Sequence, residues 1–99
     1  MFMRIVWGRI RAGEWEAFER AYRAGIAARG DVQGMTDQWL ARDEKDPDAG
    51  YSISVWASAE EMRGYASSKK SKDALNALQP FFVNQYTVTE CDIRYSKNT

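Results

Sequence analysis

The stretch "YSISVWASAEEMRGYASSKKSKDALNAL", Tyr51–Leu78, passes without a break from a strand pattern into a helix pattern. Tyr51, Ile53 and Val55 alternate with Ser52, Ser54 and Trp56, the period-two spacing of a pleated strand. Ser58-Ala59-Glu60-Glu61 is then a capping box. The serine side chain accepts from the amide three residues on, and Glu61 reaches back. A helix is therefore predicted from about Ala59, burying Met62, Tyr65 and Ala66. The "SSKKSK" run interrupts it, a further turn or short helix carries Ala74, Leu75 and Leu78, and Pro80 closes it.

Outward from this stretch the other elements fall into place. Phe2–Arg11 mixes apolar residues with arginines in rough alternation and reads as a strand. Beyond Gly13 a helix presents Trp15, Phe18, Tyr22 and Ile26 on one face, with Glu16–Arg20 and Glu19–Arg23 spaced i,i+4 on another. Gly30 stops it. Met35–Arg42 reads as a second strand, joined to Tyr51–Trp56 by the polar turn "DEKDPDAG" as a hairpin. Val83–Tyr95, rich in Thr, Val, Ile and Tyr, is the last strand. The order strand, helix, strand, strand, helix, strand is the split β-α-β repeat of an α+β, ferredoxin-like fold. Its four-stranded antiparallel sheet carries helices on one face. The other face is too apolar for water, so a second copy of the chain is expected to cover it.

Composition bounds the function. The 99 residues suit one domain spanning 1–99; apolar residues are 44% and charged residues 28%. Fourteen basic and fourteen acidic residues cancel, which gives no electrostatic reason to expect nucleic acid or an anionic membrane as partner. No run approaches the roughly 20 apolar residues of a membrane span. The opening "MFMRIVWGRIR" sets Arg4, Arg9 and Arg11 through its apolar residues, unlike a signal peptide, so a cytoplasmic location is expected. There is no histidine and a single cysteine, Cys91. That removes imidazole-based triads, His-ligated metal sites and an intrachain disulfide, and no bound cofactor or metal is expected. Asp46-Pro47-Asp48-Ala49-Gly50 fails as a calcium loop because the twelfth position is Ala57. Lys69, Lys70 and Lys72 lack the glycines of a phosphate loop and read as a solvated helix junction.

"GYSISVWASAEEMRGYASSKKSKDAL" (Gly50–Leu75), with "RIRAGEWEAFERAY" (Arg9–Tyr22) upstream and "QGMTDQWL" (Gln33–Leu40) between, resembles the antibiotic biosynthesis monooxygenase domain family. The resemblance covers nearly the whole chain and implies a dimeric α/β barrel in which two sheets pack face to face. Some members oxidise quinols or polyketide phenols with dioxygen and neither metal nor flavin; others degrade haem. The haem-degrading branch uses an asparagine, a tryptophan and a histidine at positions occupied here by Val6, Tyr65 and Leu75, so its amide and iron ligand are missing. For the quinol branch the resemblance implies a dry pocket for a small aromatic substrate. Tyr65 would offer a hydroxyl, Arg94 a charge to stabilise a phenolate, and Trp39, Met62, Phe81 and Phe82 the binding walls. A base, if one is needed, would be a carboxylate such as Asp37 or Glu90. The competing readings are a tyrosine buried in solid core at Tyr65, and a dimer of the same fold that binds or assembles without turnover.

Overall fold

A computed structural model describes residues 1–97. Its strands β1 (Phe2–Arg9), β2 (Met35–Arg42), β3 (Ala49–Trp56) and β4 (Thr87–Asp92) form one antiparallel sheet in the order β2-β3-β1-β4. Helices α1 (Trp15–Arg29), α2 (Ala59–Ala66) and α3 (Lys69–Leu78) complete the fold, with a short 3₁₀ turn at Gln79–Phe81. This is the expected α+β, ferredoxin-like arrangement.

The local chemistry explains most boundaries. Gly30 takes φ 74 and ends α1, its amide donating to the Ile26 carbonyl at 3.0 Å. The Glu61 amide donates to Ser58 Oγ at 3.1 Å and starts α2. The second half of the capping box differs from expectation, because the Glu61 carboxylate accepts from the Ser58 hydroxyl at 3.0 Å. Ser68 repeats the device, accepting from the Ser71 amide at 3.2 Å, so of the two expected forms, turn or short helix, the segment takes the helix, α3. Glu19 pairs with Arg23 at 3.0 Å as expected, whereas Glu16 turns to Arg42 of β2 at 3.7 Å.

The first and last strands are shorter than the sequence pattern. Ile10 only bridges Phe82, and Val83 donates to the Arg9 carbonyl at 2.9 Å before the chain bends and re-enters the sheet at Thr87. Those contacts tie the Gln79–Phe82 turn to the end of β1.

Register decides which side chains face the helices. In adjacent rows, Gln38, Ser54, Arg4 and Glu90 stand side by side, as do Leu40, Ser52, Val6 and Val88. Their β1, β2 and β3 members lie under the helices, whereas Val88 and Glu90 of the edge strand β4 are exposed. The opposite face carries Met3, Ile5 and Trp7 of β1, Tyr51 and Ile53 of β3, and Trp39 of β2. The polar serine face of β3 is thus turned inward and its apolar face outward, the reverse of what a lone sheet-and-helix domain needs.

Between sheet and helices one end is solid. Ile10, Trp15, Phe18 and Tyr22 are buried together, with Phe81 and Phe82 packed against them. Phe18 meets Phe81 and Phe82 edge-on at 5.9 and 6.0 Å. Gly8 and Gly50 make this possible: a Cβ at Gly8 would stand 2.6 Å from the Phe82 ring, and one at Gly50 would stand 2.5 Å from that of Trp15. The rings lie flat where side chains are missing.

Candidate functional site

Beyond this core the interlayer space is open, with Ile10, Trp15 and Phe18 bordering the opening. A cavity of about 420 Å³, within the usual range for small-molecule sites, is floored by Arg4, Val6, Ser52 and Ser54 of the sheet. Its walls come from Tyr22, Ile26 and Arg29 of α1, Met62 and Tyr65 of α2, and Leu75 and Leu78 of α3. The Tyr22 stripe that begins as core therefore ends as a wall.

Tyr65 occupies the α2 side. Its ring lies 5.6 Å from that of Trp56, and the Arg29 guanidinium sits 5.7 Å from its centre. Such stacking fixes the ring, and its hydroxyl has no hydrogen-bond partner among the described residues. Met62 is fully buried beside it. Trp56 is held in turn by its indole N–H donating to Ser54 Oγ at 2.9 Å.

A chain of hydrogen bonds crosses the floor. Arg29 donates to Gln38 Oε1 at 3.0 Å, Gln38 Nε2 donates to the Tyr22 hydroxyl at 2.9 Å, and Tyr22 Oη lies 2.7 Å from Ser52 Oγ. Arginine has only donors, so it fixes which way the Gln38 amide faces. Tyr22 accepts from Gln38 and shares a further hydrogen bond with Ser52 in which either hydroxyl can donate. Ser52, at the end of this chain, lines the cavity.

The expected site residues divide. Met62, Tyr65 and Phe82 line the cavity. Phe81 packs behind it on Phe18. Trp39 does not border this cavity: it pairs in register with Ile53, lies on the open sheet face and is 50% exposed. Arg94 is exposed beyond β4, 3.3 Å from Asp92, out of reach of the space it was expected to serve. Of the carboxylates considered as bases, Asp37 is exposed on β2. Glu90 sits between Arg4 Nε at 4.0 Å and Arg63 Nε at 3.9 Å. Val6 and Leu75 both line the cavity as hydrocarbon. Among the described residues no group of three His, Cys, Asp or Glu could hold a metal ion. Reading the sequence alone missed Arg4, Tyr22, Arg29, Gln38 and Ser52 as site residues.

Residues 1–77 match the family described as antibiotic biosynthesis monooxygenase. The chain belongs to that family. A Deinococcus radiodurans structure described as a candidate member superposes with a TM-score of 0.83 at 13% identity, over 100% of this chain and 98% of that one. A Nitrosomonas europaea structure with the same kind of description gives 0.82 at 13%, over 96% and 100%. One from Chloroflexus aurantiacus gives 0.70 at 23%, over 96% of each chain. At these identities the likeness is one of fold. Among curated proteins none matches.

Proposed function

We propose that this protein is a cofactor-independent monooxygenase that oxidises a quinol or related phenol with dioxygen, working as a cytoplasmic homodimer. One observation carries the reading: the polar face of β3 is turned into a cavity, where Ser52 is hydrogen-bonded through Tyr22 to Gln38. A protein needing only a core would place Ile53 and Val55 there. The cavity instead offers aromatic and aliphatic walls to a ring, with hydroxyls at Ser52 and Tyr65 for its oxygens.

The chemistry asks little of the protein beyond this. An ionised quinol is electron-rich enough to reduce dioxygen itself. One atom of the dioxygen enters the ring as a new hydroxyl group and the other leaves as water. The quinol supplies all four electrons: two on becoming a quinone and two at the C–H bond that is hydroxylated. With Tyr22 donating to it, Ser52 is free to donate to the oxyanion that forms, and such a preorganised donor acts most strongly once the bound ring has displaced water from the cavity. The apolar walls shield the reacting ring from solvent.

The outward face supports the dimer. Met3, Ile5, Trp7, Trp39, Tyr51 and Ile53 share it, with Trp39 and Tyr51 exposed. The family resemblance supplies the occupant, a second sheet of the same kind.

A second reading has its own support: no carboxylate lines the cavity among the described residues, so a binder without turnover would also fit. Oxygen uptake with a panel of naphthoquinols and hydroxylated aromatics, corrected for spontaneous oxidation, separates the two. Catalysis predicts uptake that is proportional to enzyme and reduced by Ser52→Ala. Binding without uptake selects the second reading.

A further inference from the structure

We infer that the ligand of this cavity is an aromatic carboxylate, held by charge at Arg4 and at the Lys72 mouth. The inference rests on the aromatic-pocket reading above and adds the ligand's fixed negative charge. Three cationic residues line the cavity, Arg4, Arg29 and Lys72, and no aspartate or glutamate does. The chain as a whole carries no net charge, so this is local arrangement and does not follow from composition.

The three cations differ in what they already hold. Arg29 is committed to Gln38, to the Gly30 carbonyl at 3.1 Å and to the Tyr65 ring. Arg4 is not committed in this way. Its Nε is shut off from solvent without a hydrogen-bond partner, and its nearest carboxylate, Glu90, stands 4.0 Å away while also facing Arg63. Two guanidiniums share one carboxylate, and neither contact is at hydrogen-bonding distance. A buried donor left unpaired is costly, and a guanidinium more so. Lys72, exposed on α3, has no ion pair among the described residues, whereas Lys69 is taken by Asp73 at 2.8 Å. A quinol, even singly ionised at one oxygen, leaves part of this excess uncompensated. A carboxylate on the ring offers the planar acceptor that a guanidinium binds best. Arg4 shares its sheet row with Ser54 and Gln38, so the carboxylate end lies at the polar row and the ring extends toward Tyr65 and Leu75.

The test titrates the dimer or monomer as purified with 6-hydroxy-2-naphthoate and with its neutral carboxamide, following binding by calorimetry at pH 7. At about 50 mM salt the acid should bind at least about tenfold tighter than the amide, a preference that shrinks several-fold near about 500 mM as screening grows. Lys72→Gln should reduce the preference and Arg4→Gln should reduce it further, while Arg4→Lys keeps part of it. If Arg4→Gln does not fold, Lys72→Gln and the salt series decide. Equal binding of acid and amide would overturn this inference and leave the aromatic pocket standing. Binding of neither compound, or a preference indifferent to salt and to Lys72→Gln, would overturn it as well. Oxygen uptake plays no part in the measurement, so the absence of turnover does not touch it.

Discussion

Tyr22→Phe removes one oxygen atom from the middle of the chain Arg29–Gln38–Tyr22–Ser52 and nothing else. Tyr22 is 9% exposed, and its hydroxyl has neighbours at 2.7 and 2.9 Å. The Phe ring keeps the packing on Phe18, at 6.1 Å between centres, so apolar burial is unchanged. What is lost is one hydroxyl hydrogen bond on each side. Each is worth about 1 kcal/mol net, and buried partners left unpaired cost about 1–3 kcal/mol. Ser52 and Gln38 border a solvent-accessible cavity and can partly re-pair with water, so the low end applies: about 1–2 kcal/mol for Tyr22→Phe and about 1 kcal/mol for Ser52→Ala. Because both variants break the same bond, the double variant should fall short of the sum by about 0.5–1 kcal/mol. For a domain this size each kcal/mol moves Tm by roughly 4–8 °C. Urea unfolding at one fixed protein concentration, which keeps any dimer contribution constant, measures all four corners of the cycle. Strict additivity would refute the hydrogen-bonded chain.

Other expectations follow from particular positions. Gly50→Ala puts a Cβ 2.4 Å from the Ala41 carbonyl oxygen and 2.5 Å from the Trp15 ring; it should cost about 3 kcal/mol or abolish folding in a chemical-denaturation series. Gly64→Ala meets nothing within 4 Å in helix α2 and should stabilise by about 0.5–1 kcal/mol in the same assay. The Asp48 amide, helped by Arg9, holds the Asp46 carboxyl below the ordinary aspartate value. Its contribution is therefore complete above the unfolded-state value, about pH 4, and lost as pH falls through the folded one; Asp46→Asn should flatten the acid limb of a stability–pH curve. Trp39→Glu places a charge on the open sheet face and should shift sedimentation equilibrium from dimer toward monomer without unfolding the chain.

Fold and site were not equally legible in the sequence. Element order could be read because it depends on local spacing: the serine alternation in β3, the Ser58 cap and the Gly30 stop all act within a few residues. The site depends on what lies far apart in sequence. Tyr22 carries the spacing of a buried stripe, and nothing local shows that its hydroxyl meets Ser52 thirty residues on. Gly8 and Gly50 look like weak strand residues until the Phe82 and Trp15 rings lie on them. Trp39 has the aromatic ring and the strand expected of a cavity wall, but strand parity puts Gln38 and Leu40 there. That parity was the available signal, since the inward face of β3 bears serines and the matching face of β2 had to be the one opposite them. Arg94, expected only for the charge it could offer a phenolate, lies beyond the last ladder pair, Phe2 with Asp92.

The central claim, that the cavity houses a monooxygenase reaction, is tested most directly by the fate of the oxygen atoms. Turnover of a quinol substrate under heavy-oxygen-labelled dioxygen, followed by mass spectrometry of the product, should show one labelled atom in the hydroxyquinone and no accumulation of hydrogen peroxide. The signal should fall sharply in Ser52→Ala. Quinone that carries no label, formed with stoichiometric hydrogen peroxide or at the same rate without the protein, would contradict the account.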